Sequence, residues 1–154
     1  MAELKAGDPA PNFDTVDHTG KAVSLKGLKG KNIILYFYPK DNTPGCTKES
    51  CGMRDQYDVA AAKNTVILGV SADSAASHQK FVDKYSLPFS LLMDEDKSII
   101  EAYGAWGEKN MYGKKSMGII RTTCVIGPDG KIRWIGKGKG AEDHVLEMLE
   151  HVDA

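Results

Sequence analysis

A three-layer α/β sandwich is the fold predicted by the order of elements along this chain, and three observations carry it. Residues 33–38 form an unbroken apolar and aromatic run, as expected for a central strand covered on both faces. Strand-like and helix-like segments then alternate as far as Tyr85. The chain closes with a hairpin and an amphipathic helix, which adds an antiparallel edge to an otherwise parallel arrangement.

The elements follow in order. Residues 12–15 and 22–25, joined across Asp17-His18-Thr19-Gly20-Lys21, read as a small N-terminal hairpin with a glycine turn. The central strand at 33–38 comes next. From Cys46 to about Lys63, Met53, Tyr57 and the Ala60/Ala61 pair recur at helical spacing. Residues 66–71 are a second buried strand. Asp73 and Ser74 offer caps for a helix to Tyr85 with Phe81, Val82 and Tyr85 inward, ended by Leu87-Pro88. Residues 90–93 are expected as a short strand and 98–103 as a short helix. The Gly- and Lys-rich stretch 104–118 reads as a long loop. Residues 121–126 and 131–137 form a hairpin about the turn Gly127-Pro128-Asp129-Gly130. Val145, Leu149 and Val152 mark the final helix. With no repeat or linker visible, residues 1–154 are expected as a single domain.

Composition narrows the function classes. A formal net charge of −1 gives no electrostatic reason to expect nucleic acid or an anionic membrane as partner. No apolar run approaches the roughly 20 residues of a membrane-crossing helix, and no secretory signal is visible at the start. Three cysteines are too few for a disulfide framework, so cytoplasmic thiol chemistry is expected. The histidines (His18, His78, His144, His151) are scattered, and none pairs with a cysteine at metal-ligand spacing; no metal and no cofactor are expected. The run Gly136-Lys137-Gly138-Lys139-Gly140 lacks the phosphate-loop pattern and reads as a strand-to-helix loop.

The chemistry concentrates in residues 36–51, YFYPKDNTPGCTKESC. An apolar strand runs through a proline-bounded loop into Cys46 at the start of a helix. There, unpaired backbone N–H groups and the positive end of the helix dipole favour the thiolate. Cys51, five positions on, lies close enough in sequence to trap an oxidised Cys46. This is the layout of a redox catalyst.

Pro39, Thr43 and Cys46 stand in the arrangement Pro-x-x-x-Thr-x-x-Cys, and Arg121 follows about 75 positions later. This set resembles the peroxiredoxins. Cys51 together with the stretch GEKNMYGKKSMGIIRTT is similar to the bacterioferritin-comigratory, or Q-type, subfamily. The resemblance covers nearly the whole chain. It implies a thioredoxin-like three-layer sandwich with a central mixed sheet and an N-terminal β-hairpin. It further implies thiol-dependent reduction of hydrogen peroxide and organic hydroperoxides, a dithiol reductant such as thioredoxin, and a monomer. Cys124 is a departure, since the subfamily usually carries phenylalanine there.

Each residue of the set has a role that the chemistry requires. A free thiol, with a pKa of about 8.5, is mostly protonated at neutral pH and must be acidified to attack an O–O bond. Arg121 is the expected cation, because a guanidinium offers a rigid fork of donors to both sulfur and peroxide oxygen. Thr43 can direct its hydroxyl at either atom. Pro39 lacks an N–H and fixes a loop that shields the thiolate. The plain alternatives are Cys46 as a small buried hydrophobe, Thr43 as a helix cap, Pro39 as loop punctuation, Arg121 as a surface charge and Cys51 as an unreactive helix residue. Cys124, in an apolar strand, is expected to be a packed bystander.

In an intact α-helix, residues five apart have Cα atoms roughly 8–9 Å apart, beyond the limit of about 7 Å for a disulfide. Bridging of Cys46 and Cys51 therefore requires the first helical turns to open, which Gly52 favours by about 1 kcal/mol relative to alanine. Two other functions stay open on sequence. A disulfide oxidoreductase is disfavoured, because four residues separate the cysteines and no proline lies between Pro88 and Pro128. A non-enzymatic redox sensor or holdase shares the same cysteines and is separated only by turnover.

Overall fold

In the computed structural model, the residues described are 4–39, 41, 51, 54–55, 57–111 and 113–137. The sequence places nine strands among them: β1 (Asp14–Val16), β2 (Ala22–Ser24), β3 (Asn32–Phe37), β4 (Thr65–Ser71), β5 (Ser90–Met93), β6 (Trp106–Met111), β7 (Lys114–Ile119), β8 (Thr122–Ile126) and β9 (Ile132–Lys137). The helices are α1 (Tyr57–Ala62), α2 (Ala75–Tyr85) and α3 (Ser98–Ala102). Helical backbone is also present at Cys51 and at Arg54 and Asp55. The expected C-terminal helix lies outside the described residues.

The central sheet has the order β5-β4-β3-β8-β9. β3 pairs in parallel with β4, and β4 with β5, whereas β8 is antiparallel to both β3 and β9. The sheet is thus mixed, with β3 in the middle and buried along its whole length. Side-chain alternation splits the core in two. Ile34, Tyr36 and Tyr38 join Phe81, Phe89 and Val125 on the α2 side. Ile33, Leu35 and Phe37 join Ile99, Ile100, Tyr103 and Cys124 on the α3 side. Two apolar faces need two covering layers, and that requirement makes the sandwich.

Individual elements show why the chain folds this way locally. Ser74 caps α2, its hydroxyl accepting the Ser77 N–H at 3.2 Å, and the helix stops at Ser86 in the left-handed region with φ 51. Gly69 in β4 sits beneath Tyr36; a Cβ there would come within 2.8 Å of the Tyr36 ring, so glycine is what lets that ring lie flat on the sheet.

One expectation fails. The stretch 104–118 contains β6 and is not a long loop: β6 and β7 form an antiparallel hairpin with Trp106 opposite Ile119 and Met111 opposite Lys114. Gly113, with φ 79, takes a turn position open to glycine. The hairpin feeds directly into Ile120 and Arg121, and Ile120 N–H closes its base on the Ala105 carbonyl at 2.7 Å.

Candidate active site at the carboxyl end of β3

β3 and β4 both point their carboxyl ends at the same edge of the molecule, the edge at which open α/β sheets hold their ligands. Pro39 is half-buried two residues beyond β3. Because β8 runs antiparallel to β3 and pairs Thr122 with Phe37, Arg121 falls one step further, beside Tyr38. Residues about 80 apart in sequence are thereby brought to one sheet end. Arg121 is half-buried and already engaged in a polar interaction. Thr43 and Cys46 lie outside the described residues. Cys51 is helical, half-buried and a free thiol.

The helical backbone at Arg54, three residues beyond Cys51, is held against α2. Arg54 donates through Nη1 to the Tyr85 carbonyl at 2.9 Å, satisfying an otherwise orphan carbonyl at the end of α2. Tyr57 packs against the α2-side core.

Cys124 is fully buried opposite Leu35, and burial pushes its thiol up to about 12. It points to the α3 face, whereas Arg121 and Thr123 share the other. A thiol so far from ionisation is not a nucleophile at neutral pH. Alkylation of the native, reduced protein with iodoacetamide should therefore leave Cys124 unmodified until denaturant is added. Modification of Cys124 at the rate of a free thiol under native conditions would contradict this.

A buried polar cluster beside Pro39 was not anticipated from sequence. The Asp41 side chain accepts hydrogen bonds from Tyr38 OH at 2.5 Å and from Ser77 Oγ at 2.9 Å. His78 Nδ1 faces Asp41 Oδ2 at 2.7 Å, and His78 Nε2 faces the Leu92 carbonyl at 3.1 Å. The Asp41 N–H donates to Asp73 Oδ2 at 2.7 Å, and Ser71 Oγ donates to the same oxygen at 2.7 Å. Burial, reinforced by Tyr36 and Asp41, raises the Tyr38 phenol well above its usual value, so it remains a donor. His78 had a sequence signal: with Phe81, Val82 and Tyr85 it completes the i, i+3, i+4, i+7 stripe of the inner face of α2. Asp41 had none beyond its place in a turn-rich loop.

Asp41, Asp73 and His78 bring three ligand-type atoms within 4.8 Å of one another. Asp41 Oδ2, Asp73 Oδ2 and both His78 ring nitrogens are already engaged by the bonds just described, so the cluster fits a hydrogen-bond network better than a cation. An apolar depression of about 480 Å³ between Leu25, Leu28, Ile33 and Gly130 opens near the start of β3, away from Pro39.

The AhpC/TSA family model matches residues 6–135. Peroxiredoxin Bcp of Escherichia coli (strain K12) is 43% identical over 153 residues, covering 97% of this chain and 98% of that protein. Peroxiredoxin Bcp of Bacillus subtilis (strain 168) is 42% identical over 147 residues, covering 96% and 94%. Among solved structures, Xanthomonas campestris Peroxiredoxin Q superposes with a TM-score of 0.83 at 34% identity, covering 90% of this chain and 89% of that one. The mixed sheet between helical layers is accordingly the thioredoxin-like arrangement. Pro39 just beyond β3, an arginine registered beside that strand end, and these likenesses over nearly the full length agree: the chain belongs to the AhpC/TSA family, as a peroxiredoxin of the Bcp/Q type, an enzyme that reduces peroxides with thiols.

Proposed function

We propose that Cys46 is the peroxidatic thiol, Cys51 the resolving thiol and thioredoxin the reductant, in a single-domain monomer acting in the cytoplasm. The observation that supports this most is the β3–β8 register, which seats Arg121 beside Tyr38 and Pro39, where the loop toward Thr43 and Cys46 begins. Free Cys51 on the following helix is in keeping with it.

The Cys46 thiolate attacks the nearer oxygen of ROOH. The S–O bond forms as the O–O bond breaks, and the far oxygen leaves with the electron pair as alkoxide or hydroxide, then takes a proton. Arg121 and Thr43 place donors where that charge develops, and Pro39 keeps an unpaired N–H out of the pocket. The Cys46 sulfenic acid then condenses with the Cys51 thiol, giving a disulfide and water. Thiol–disulfide exchange with a dithiol returns both cysteines and leaves the reductant oxidised.

The test is peroxide-dependent NADPH consumption with thioredoxin and thioredoxin reductase, using hydrogen peroxide and an organic hydroperoxide. Stoichiometric oxidation without turnover would favour a redox sensor. In the same assay, Arg121→Lys should slow peroxide attack by about tenfold to a hundredfold, since an ammonium cannot supply the paired donors. An unchanged second-order rate constant would make Arg121 structural.

A further inference from the structure

We propose that the buried chain Tyr38–Asp41–His78 is a positioning network for the peroxidatic loop, with His78 acting through Asp41. The inference rests on the reading of Cys46 given above.

Asp41 lies midway in sequence between Pro39 and Thr43, so whatever fixes Asp41 fixes the point from which the chain departs toward the cysteine. It is held at both backbone and side chain. Its N–H is tied to Asp73, its Oδ1 to Tyr38 at the end of β3, and its Oδ2 to Ser77 and His78 on α2. His78 is anchored on the other side by the Leu92 carbonyl in β5. Four elements of the fold thus converge on one loop residue.

Proton count shows how tightly this is specified. Leu92 offers only a carbonyl, so His78 Nε2 carries hydrogen. Nδ1 and Asp41 Oδ2, 2.7 Å apart, then share one proton, as imidazolium with carboxylate or imidazole with carboxylic acid. In either form the pair is neutral as a unit, and Tyr38, Ser77 and the Leu92 carbonyl supply the further hydrogen bonds needed to offset its desolvation at 1% or less side-chain exposure. The groups facing it are the Tyr38 phenol just after β3, Asp73 from the β4–α2 connection, Ser77 from α2 and the Leu92 carbonyl from β5. An apolar plug would pack the same space without directing the loop, because hydrophobic contact has no preferred orientation.

The test separates position from stability. Asp41→Ala and His78→Leu should lower the second-order rate constant for peroxide attack by about tenfold or more, as small misplacements of reacting groups do. Asp41→Asn should recover the rate to within about threefold. Its amide N–H can donate to a neutral Nδ1, while its oxygen still accepts from Tyr38. Tyr38→Phe keeps the ring and removes one donor, so it should fold and show a smaller fall. Each rate constant is measured by stopped flow on protein shown folded by denaturant titration, alongside the rate of the later disulfide-forming step, which should change far less. Wild-type attack rates in folded Tyr38→Phe and Asp41→Ala would overturn the proposal. So would failure of Asp41→Asn to restore the rate, or equal slowing of both steps. Loss of turnover in the wild-type protein itself would instead strike the reading of Cys46.

Discussion

Cys46→Ser is expected to reduce peroxide turnover to below a few per cent of the wild-type rate. The reaction needs an ionised sulfur, and a serine hydroxyl at the same place is neither ionised at neutral pH nor comparably nucleophilic toward an O–O bond. In the proposed site the donors Arg121 and Thr43 would stabilise a leaving oxygen only if something attacks, so they should leave little residual activity. On the proposed reading Cys51 cannot substitute, because five positions along a helix would put it more than a turn beyond the start that acidifies Cys46. Cys124 cannot either, with its thiol buried and pushed up to about 12. The variant should keep its stability, and non-reducing mass spectrometry after peroxide should find Cys51 without an intramolecular bridge. Retention of substantial turnover would remove Cys46 from the peroxidatic role.

The parts of the fold that could be read from sequence are those where one local pattern decides the outcome. β3 is apolar throughout because both its faces are covered, and that run is unmistakable. The β8–β9 hairpin follows from Gly127-Pro128-Asp129-Gly130, and Ser74 announces α2. The β6–β7 hairpin was missed because Glu108, Lys109, Lys114, Lys115 and Gly118 give it neither apolar alternation nor strand propensity. Its strands pair through twelve residues in mutual register, and among the described side chains Ile119 and Trp106 tie its base to the core.

The site was legible as a motif and illegible as a place. Pro39 and Arg121 could be named from the sequence, but only the pairing of Phe37 with Thr122 brings them together. The Asp41–His78 pair was invisible for a related reason. Each residue looks ordinary in its own segment, and the contact between them spans 37 positions. Buried polar pairs leave no periodic trace, whereas apolar stripes do.

Cys51→Ser should permit one fast reduction of peroxide and then stall. Without a partner thiol, the Cys46 sulfenic acid persists and is open to further oxidation to the sulfinic acid. The wild-type protein avoids this only if Cys46 and Cys51 approach to disulfide distance, which an intact helix forbids because their Cα atoms would stay roughly 8–9 Å apart. A Cys46–Cys51 bridge would therefore require the first helical turns to melt. The region beyond is poorly placed to move, since Arg54 is bonded to the Tyr85 carbonyl and Tyr57 is packed on the core. On the other side, Asp41 is bonded to Asp73, Ser77 and His78. The rearrangement should accordingly be bracketed by these two anchors. Amide exchange should speed up on oxidation for residues 50–52, which lie past the unpaired first turn and so have i→i−4 partners to lose, and change little in α2. The same opening would expose the disulfide to a reducing dithiol. A regular helix persisting through both positions in the bridged protein would refute the geometric argument, and normal thioredoxin-coupled turnover by Cys51→Ser would show that another thiol resolves the sulfenic acid.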